Sequence, residues 1–141
     1  MKESREKSEK LLRSHKLRVT EKRLDVLKII HDYGSAIPYS KVQEQLKNLD
    51  RVTLYRTILA LLENGIIHKI QVEGQEVYYA LCGHTCDTGE HNHQHIHFHC
   101  SECEKVSCIE PKQELKVQLE GYAIAEVKVQ VDGVCAACVS D

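Results

Sequence analysis

Metal-binding chemistry is densest between His91 and Cys108, where the chain reads H-N-H-Q-H-I-H-F-H-C-S-E-C-E-K-V-S-C, and it returns near the end at Cys135 and Cys138. Cys100/Cys103 and Cys135/Cys138 form two Cys-x-x-Cys pairs, and four thiolates so spaced are what a tetrahedral Zn²⁺ takes. The segment between the pairs has room for a small helix and a strand. A shared ion would therefore fasten the end of the chain onto an earlier hairpin. Two disulfides are the competing use of the same residues, but no secretory segment precedes them and the chain opens in a charged Lys/Glu stretch.

The histidines upstream make a separate statement. His95, His97 and His99 alternate with Ile96 and Phe98, and a strand has period two, so the imidazoles share one face and the apolar side chains the other. With a pKa near about 6.5, imidazole is available as a ligand at neutral pH. A second metal site apart from the thiolates is expected. A loose His-rich loop is the plainer alternative, and the alternation with apolar residues argues instead for ordered geometry.

Elements must hold these groups in place. A chain of 141 residues forms one medium domain or two very small ones, and small ones need a metal or a partner subunit to supplement their cores. With no Trp and one Phe, neither half has a large aromatic core. No apolar run reaches membrane-spanning length, and no secretory segment is recognisable, which predicts a cytoplasmic protein without a membrane partner. The net charge of −2 hides an asymmetry: 15 Lys/Arg against 9 Asp/Glu in residues 1–70, and 4 against 12 in residues 71–141. The first half is suited to a polyanion and the second would repel one.

Residues 3–14 read as a charged helix anchored by Leu11 and Leu12, with a solvated leader as the alternative. Thr20 caps a helix over Glu21–Tyr33, with Leu24, Leu27, Ile29 and Ile30 at helical spacing and Gly34 as its stop. Pro38 opens a shorter helix carrying Val42, Leu46 and Leu49. Asp50 then caps a helix over Arg51–Asn64, whose inward stripe is expected to be Val52, Tyr55, Leu59 and Leu62, with Ile58 beside it. Arg51, Thr53, Arg56 and Thr57 lie away from that stripe. Two helices across so short a turn form a helix-turn-helix, and the segments Ile66–Val72 and Glu76–Leu81 around Glu73-Gly74-Gln75 form the hairpin of a winged helix.

The second of those helices would enter the major groove. Arg56 is the leading candidate for base contact, with Tyr55, Thr53, Arg51 and Thr57 around it, and Lys16, Arg18 and Arg23 are candidates for phosphate contact. Tyr55 is ambiguous because the stripe assigns its ring to the core. One winged helix covers too little DNA for high specificity, so a homodimer on two half-sites is expected. Residues 1–82 are thus read as the DNA-binding domain, ending at Cys82, and 83–94 as a metal-competent linker holding His84, Cys86 and Glu90. Residues 95–141 are read as a small α/β dimerisation domain with structural zinc. Within it, Glu104–Ile109 is expected as a strand, Pro111 as the start of a helix through Leu115, Val117 and Leu119, and Ala123–Val131 as a final strand.

Over essentially its whole length the chain resembles the ferric uptake regulator family, which includes iron, zinc and peroxide sensors. The resemblance rests on Leu17-Arg18-Val19-Thr20 with Arg23, on Arg51-Val52-Thr53-Leu54-Tyr55-Arg56-Thr57 leading to Glu63-Asn64-Gly65-Ile66-Ile67, on His95-Ile96-His97 before Cys100-Ser101-Glu102-Cys103, and on Cys135-x-x-Cys138. It implies a homodimeric, metal-responsive transcription factor, usually a repressor, that binds promoter DNA and acts on no small organic substrate. It further implies that Cys100, Cys103, Cys135 and Cys138 hold structural zinc, while His95 and His97 belong to a regulatory site. Ile37 and Cys108 stand where iron and peroxide sensors commonly place a histidine and an acidic ligand. Gln94 and Ile96 replace the ligands of a further site, which would be absent or rebuilt from His93 and His99. By analogy with zinc-sensing relatives, Cys86 and Glu76 complete the regulatory site, with Glu90, His91 and His93 as substitutes and Cys108 as a further candidate. A site containing thiolate suits Zn²⁺ better than Fe²⁺ or Mn²⁺.

An iron or peroxide sensor of the same fold is the nearest alternative. A metallohydrolase is not expected, because no Glu or Asp stands to a His pair as a general base does in H-E-x-x-H. A metal-storage protein would explain the Cys and His content but neither the helix-turn-helix nor the charge asymmetry.

Overall fold

The computed structural model describes residues 2–72, 74–81, 96–109, 116–125, 127 and 129–140. The chain divides into two units, Met1–His91 and Asn92–Asp141. The first begins with α1 (Lys2–Ser14), which buries Leu12 completely and packs Leu11 against the same core. Its end is tied off by Leu17 N–H donating to Leu12 O at 2.9 Å and Lys16 N–H to Arg13 O at 3.0 Å. These are the two bonds of a Schellman motif, in which the residue after the helix takes the left-handed conformation that glycine favours. Here that residue is Lys16, at φ 60°.

The helix α2 (Glu21–Tyr33) has the expected ends: Thr20 accepts from Arg23 N–H, and Gly34 is left-handed at φ 81°. Leu24, Val26, Leu27 and Ile30 are its buried residues. Next come β1 (Ile37–Pro38) and α3 (Tyr39–Gln45). Pro38 has no side-chain donor or acceptor with which to cap α3, and the Glu76 carboxylate supplies that function. It accepts from Ser40 N–H at 2.8 Å and Ser40 Oγ–H at 3.0 Å, satisfying a first-turn amide and placing negative charge at the positive helix end.

The helix α4 (Arg51–Glu63) corrects the expected stripe. Leu54, Thr57, Ile58 and Leu61 are buried, whereas Val52 and Tyr55 are each 56% exposed. The apolar residues allowed two stripes rotated from one another, and the one richer in aliphatic side chains faces the core. Thr57 joins it because its hydroxyl donates to Thr53 O at 2.7 Å, so its burial leaves no polar group unpaired. The wing is β2 (Ile67–Gln71) paired antiparallel with β3 (Val77–Leu81). The short β1, not anticipated from sequence, adds to the other edge of β3 and gives the order β1-β3-β2.

In the second unit β4 (Ile96–Cys100) lies between β5 (Val106–Ile109), antiparallel to it, and β6 (Val129–Gly133), parallel to it. A short helix, α5 (Ala136–Val139), follows. The last strand is therefore later than the expected Ala123–Val131, because its extent is set by pairing along β4, from Ile96↔Val129 to Cys100↔Gly133. Glu104 and Lys105 precede β5 instead of belonging to it: Glu104, at φ 63°, turns the chain back after Cys103. Of the expected helix from Pro111, residues 111–115 lie outside the described residues, and 116–119 are irregular, not helical.

Candidate metal centre and nucleic-acid interface

The hairpin of β4 and β5 carries Cys100 and Cys103 at its bend, and β6 leads into α5, with Cys135 at the N-cap of that helix and Cys138 within it. Ser101 N–H donates to Gly133 O at 2.7 Å, and the Ser101 hydroxyl to the same oxygen at 3.1 Å. These bonds lock the two cysteine-bearing segments together. All four sulfur atoms lie within 4.8 Å of one another, and Cys103 Sγ and Cys135 Sγ are 3.8 Å apart. With Zn–S bonds of about 2.3 Å, the edge of a regular tetrahedron is about 3.8 Å. A disulfide would require about 2.0 Å. The set fits a tetrahedral ion.

Electrostatics favour the same ion. The N–H groups of Cys103, at 3.5 Å, and Cys135, at 3.3 Å, donate to Cys100 Sγ and draw that thiol down to about 6. Cys138 is pushed up to about 12, first by its hydrogen bond with Cys135 and then by burial. Four thiolates this close repel one another, and a divalent cation removes the conflict by displacing the remaining protons.

His97 and His99 share one face of β4. On that face His97 stands opposite Cys108 of β5 and Gln130 of β6, and His99 opposite Val106 and Asp132. A ring nitrogen of His97 and Cys108 Sγ are within 4.8 Å, which makes a nitrogen–sulfur donor pair. His99 Nδ1 is 3.5 Å from Asp132 Oδ1. Cys108, noticed in the sequence mainly as a departure from an acidic residue, is thus brought beside His97 by strand register. His95, Cys86, Glu90 and His93 lie outside the described residues. Both Glu76 oxygens are engaged by Ser40 in the first unit. His68, on β2 and half-buried, was not singled out from sequence because an isolated histidine in a wing strand carries no spacing signal.

In the first unit Arg51, Val52, Tyr55 and Arg56 of α4 are exposed, Thr53 is half-buried and Thr57 is buried. The Thr53 hydroxyl holds the Asp50 carboxyl below its ordinary range. Lys16 and Arg18 are exposed, and Arg23 Nη1 donates to Arg18 O at 2.7 Å, bracing the segment between α1 and α2. The second of two helices thus presents a cationic face over its first two turns, beside a two-stranded wing.

The sequence profile of the ferric uptake regulator family matches residues 14–132. The chain belongs to the ferric uptake regulator family. It is accordingly a metal-responsive, DNA-binding transcriptional regulator and not an enzyme. It is 29% identical over 135 residues to the ferric uptake regulation protein of Staphylococcus aureus, covering 92% of this chain and 93% of that protein. It is equally 29% identical over 141 residues to the zinc uptake regulation protein of Escherichia coli K12, covering 94% and 79%. Among solved structures, holo XcZur superimposes with a TM-score of 0.74 at 20% identity over the full length of both chains. A zinc uptake regulator in complex with zinc and DNA superimposes at 0.70 and 26%, covering 99% of this chain and 95% of that one. Ile37 is a fully buried strand residue paired with Tyr79, where its side chain serves the core.

Proposed function

We infer that this member of the ferric uptake regulator family is a cytoplasmic, zinc-responsive homodimeric repressor of promoter DNA. The observation that carries the choice of metal is His97 facing Cys108 across β4 and β5. An imidazole–thiolate pair favours Zn²⁺ over Fe²⁺ or Mn²⁺, which prefer more oxygen-rich sites. The likeness to zinc uptake regulators, one of them bound to zinc and DNA, supports the same reading. The equal identity to a ferric uptake regulation protein defines Fe²⁺ as the competing reading. Cys100, Cys103, Cys135 and Cys138 hold the structural zinc in this proposal, and His97, Cys108 and His95 begin the exchangeable site. Its remaining ligands are proposed to come from the linker: Cys86, Glu90 or His93.

Homodimer formation is supported by the second unit's surface. Ile109, Val117, Leu119, Tyr122, Ile124, Val131, Val134 and Val139 are all exposed, more apolar surface than so small a unit carries when it stands alone. Among the described residues, no helix is long and apolar enough to cross a membrane. Arg56, Arg51, Tyr55 and Thr53 are proposed to meet DNA from α4, with Thr57 contributing only through the helix backbone that its hydroxyl braces. Lys16, Arg18 and Arg23 are proposed to meet phosphates.

The test is zinc titration by calorimetry into partly demetallated protein, followed by DNA binding at fixed free zinc. One tight zinc and at least one exchangeable zinc per subunit are expected. His97→Ala should remove only the exchangeable one and, with it, the gain in DNA affinity, because a ligand shifts an equilibrium only through differential affinity for its states. Cys86→Ser should weaken the response and His15→Ala should leave it intact. Equal zinc stimulation of wild type and His97→Ala would defeat this assignment. Tighter productive binding of Fe²⁺, after allowance for intrinsic metal preference, would transfer the protein to the iron-sensing reading.

A further inference from the structure

Among the described residues of the first unit, the exposed large hydrophobic side chains are Tyr33, Val52 and Tyr55. Two of the three therefore lie within the first two turns of α4. Val52 is its second residue and 56% exposed. A β-branched residue there lowers helix propensity, and an exposed one gains no packing in return. The core is already supplied by Leu54, Ile58 and Leu61 from another face of the same helix. Val52 instead shares a surface with Tyr55 and Arg56, three and four residues on, the spacing at which side chains on a helix are neighbours. Among the described residues, local preference is broken here without compensating packing, which is expected where a residue serves an external contact.

The chemistry of that contact follows from the groove. Base edges in the major groove present hydrogen-bond donors and acceptors, and one apolar group, the thymine 5-methyl. Arginine and the tyrosine hydroxyl can address the polar features. A valine cannot, and its stiff χ1 presents two methyl groups in a fixed direction. We propose that Val52 is a specificity-determining residue that packs against a thymine 5-methyl group in the major groove, beside the base contact made by Arg56. The proposal rests on the DNA-binding reading of α4 and adds to it a preference for thymine at one position of each half-site.

The test uses the zinc-loaded full chain and a duplex enriched by it from a random library. Each thymine is replaced in turn by deoxyuridine, which removes only the 5-methyl group, and affinity is measured for wild type and Val52→Ala. At one position per half-site the wild type should lose about fourfold, the equivalent of roughly 0.8 kcal/mol for one buried methyl group. Val52→Ala, which removes the contact in both half-sites, should bind the thymine duplex roughly sixteenfold more weakly and be indifferent to uracil at that position. Because Val52 is exposed and alanine favours helix, the variant should keep the wild-type circular dichroism and zinc content. Wild type indifferent to uracil everywhere would overturn the proposal, as would a uracil effect that persists undiminished in Val52→Ala. Failure of the wild-type chain to enrich any duplex would instead bring down the DNA-binding reading on which the proposal stands.

Discussion

Lys16→Gly is expected to stabilise the fold and weaken DNA binding at the same time. Lys16 occupies the left-handed position of the Schellman motif at φ 60°, held there by its own bond to Arg13 O and by that of Leu17 to Leu12 O. A non-glycine residue in this conformation costs roughly 1–2 kcal/mol. Glycine removes that cost but loses more chain entropy on folding, an offset of about 0.4–1 kcal/mol. The net gain is about 0.5–1 kcal/mol, which at a urea m-value near about 2 kcal/mol/M raises the midpoint by roughly 0.25–0.5 M. If the exposed ammonium meets a phosphate, its loss lowers the slope of log affinity against log salt by about 0.9 per lysine, or roughly eightfold in affinity at 0.1 M salt for each. Lys16→Ala separates the two effects, since it removes the charge and keeps the strained conformation. Urea denaturation and fluorescence anisotropy across a salt series measure both halves. A midpoint that falls in Lys16→Gly would refute the strain argument, and a salt slope unchanged in both variants would remove Lys16 from the interface.

Other expectations follow the same logic. Arg56→Ala should cost roughly 1–3 kcal/mol of specific DNA affinity if Arg56 grips a base bidentately, with zinc content and dimerisation unchanged; titration of one duplex at several salt concentrations checks it. Cys135→Ser should lower folding stability and dimer content together, because structural zinc binding is largely folding energy, of order 10 kcal/mol; analytical ultracentrifugation with metal analysis reads both, and a zinc-free variant that stayed a folded dimer would contradict it. Zinc uptake by the four cysteines at pH 7 should release protons, including that of Cys138, whose thiol is pushed up to about 12. Affinity should therefore weaken as pH falls, most steeply once pH passes below about 6, where Cys100 too is protonated. Calorimetry in buffers of different ionisation enthalpy counts the protons, and a buffer-independent heat would be inconsistent with a protonated Cys138.

Features encoded by neighbours in sequence were legible without the structure. Thr20 and Gly34 mark the ends of α2 because capping depends on a few adjacent residues, and the wing around Gly74 follows from its turn and alternation. The two Cys-x-x-Cys pairs announced a thiolate site because ligand spacing within each pair is itself local. Where two answers satisfied the same periodicity, only packing chose between them. On α4 both stripes were apolar enough, and burial of Leu54, Ile58 and Leu61 turned Val52 and Tyr55 outward, which no helical spacing rule could decide. Register was likewise beyond reach: Cys108 meets His97 because β5 pairs with β4 at that offset, and β6 begins at Val129 because it must match β4 residue for residue. Glu76 shows the same division, since its role at the start of α3 depends on Ser40, thirty-six positions away along the chain. Local sequence thus determined which elements form and which chemistry is present, while long-range packing and strand pairing decided which side chains meet, because those contacts are selected by the energy of the whole core.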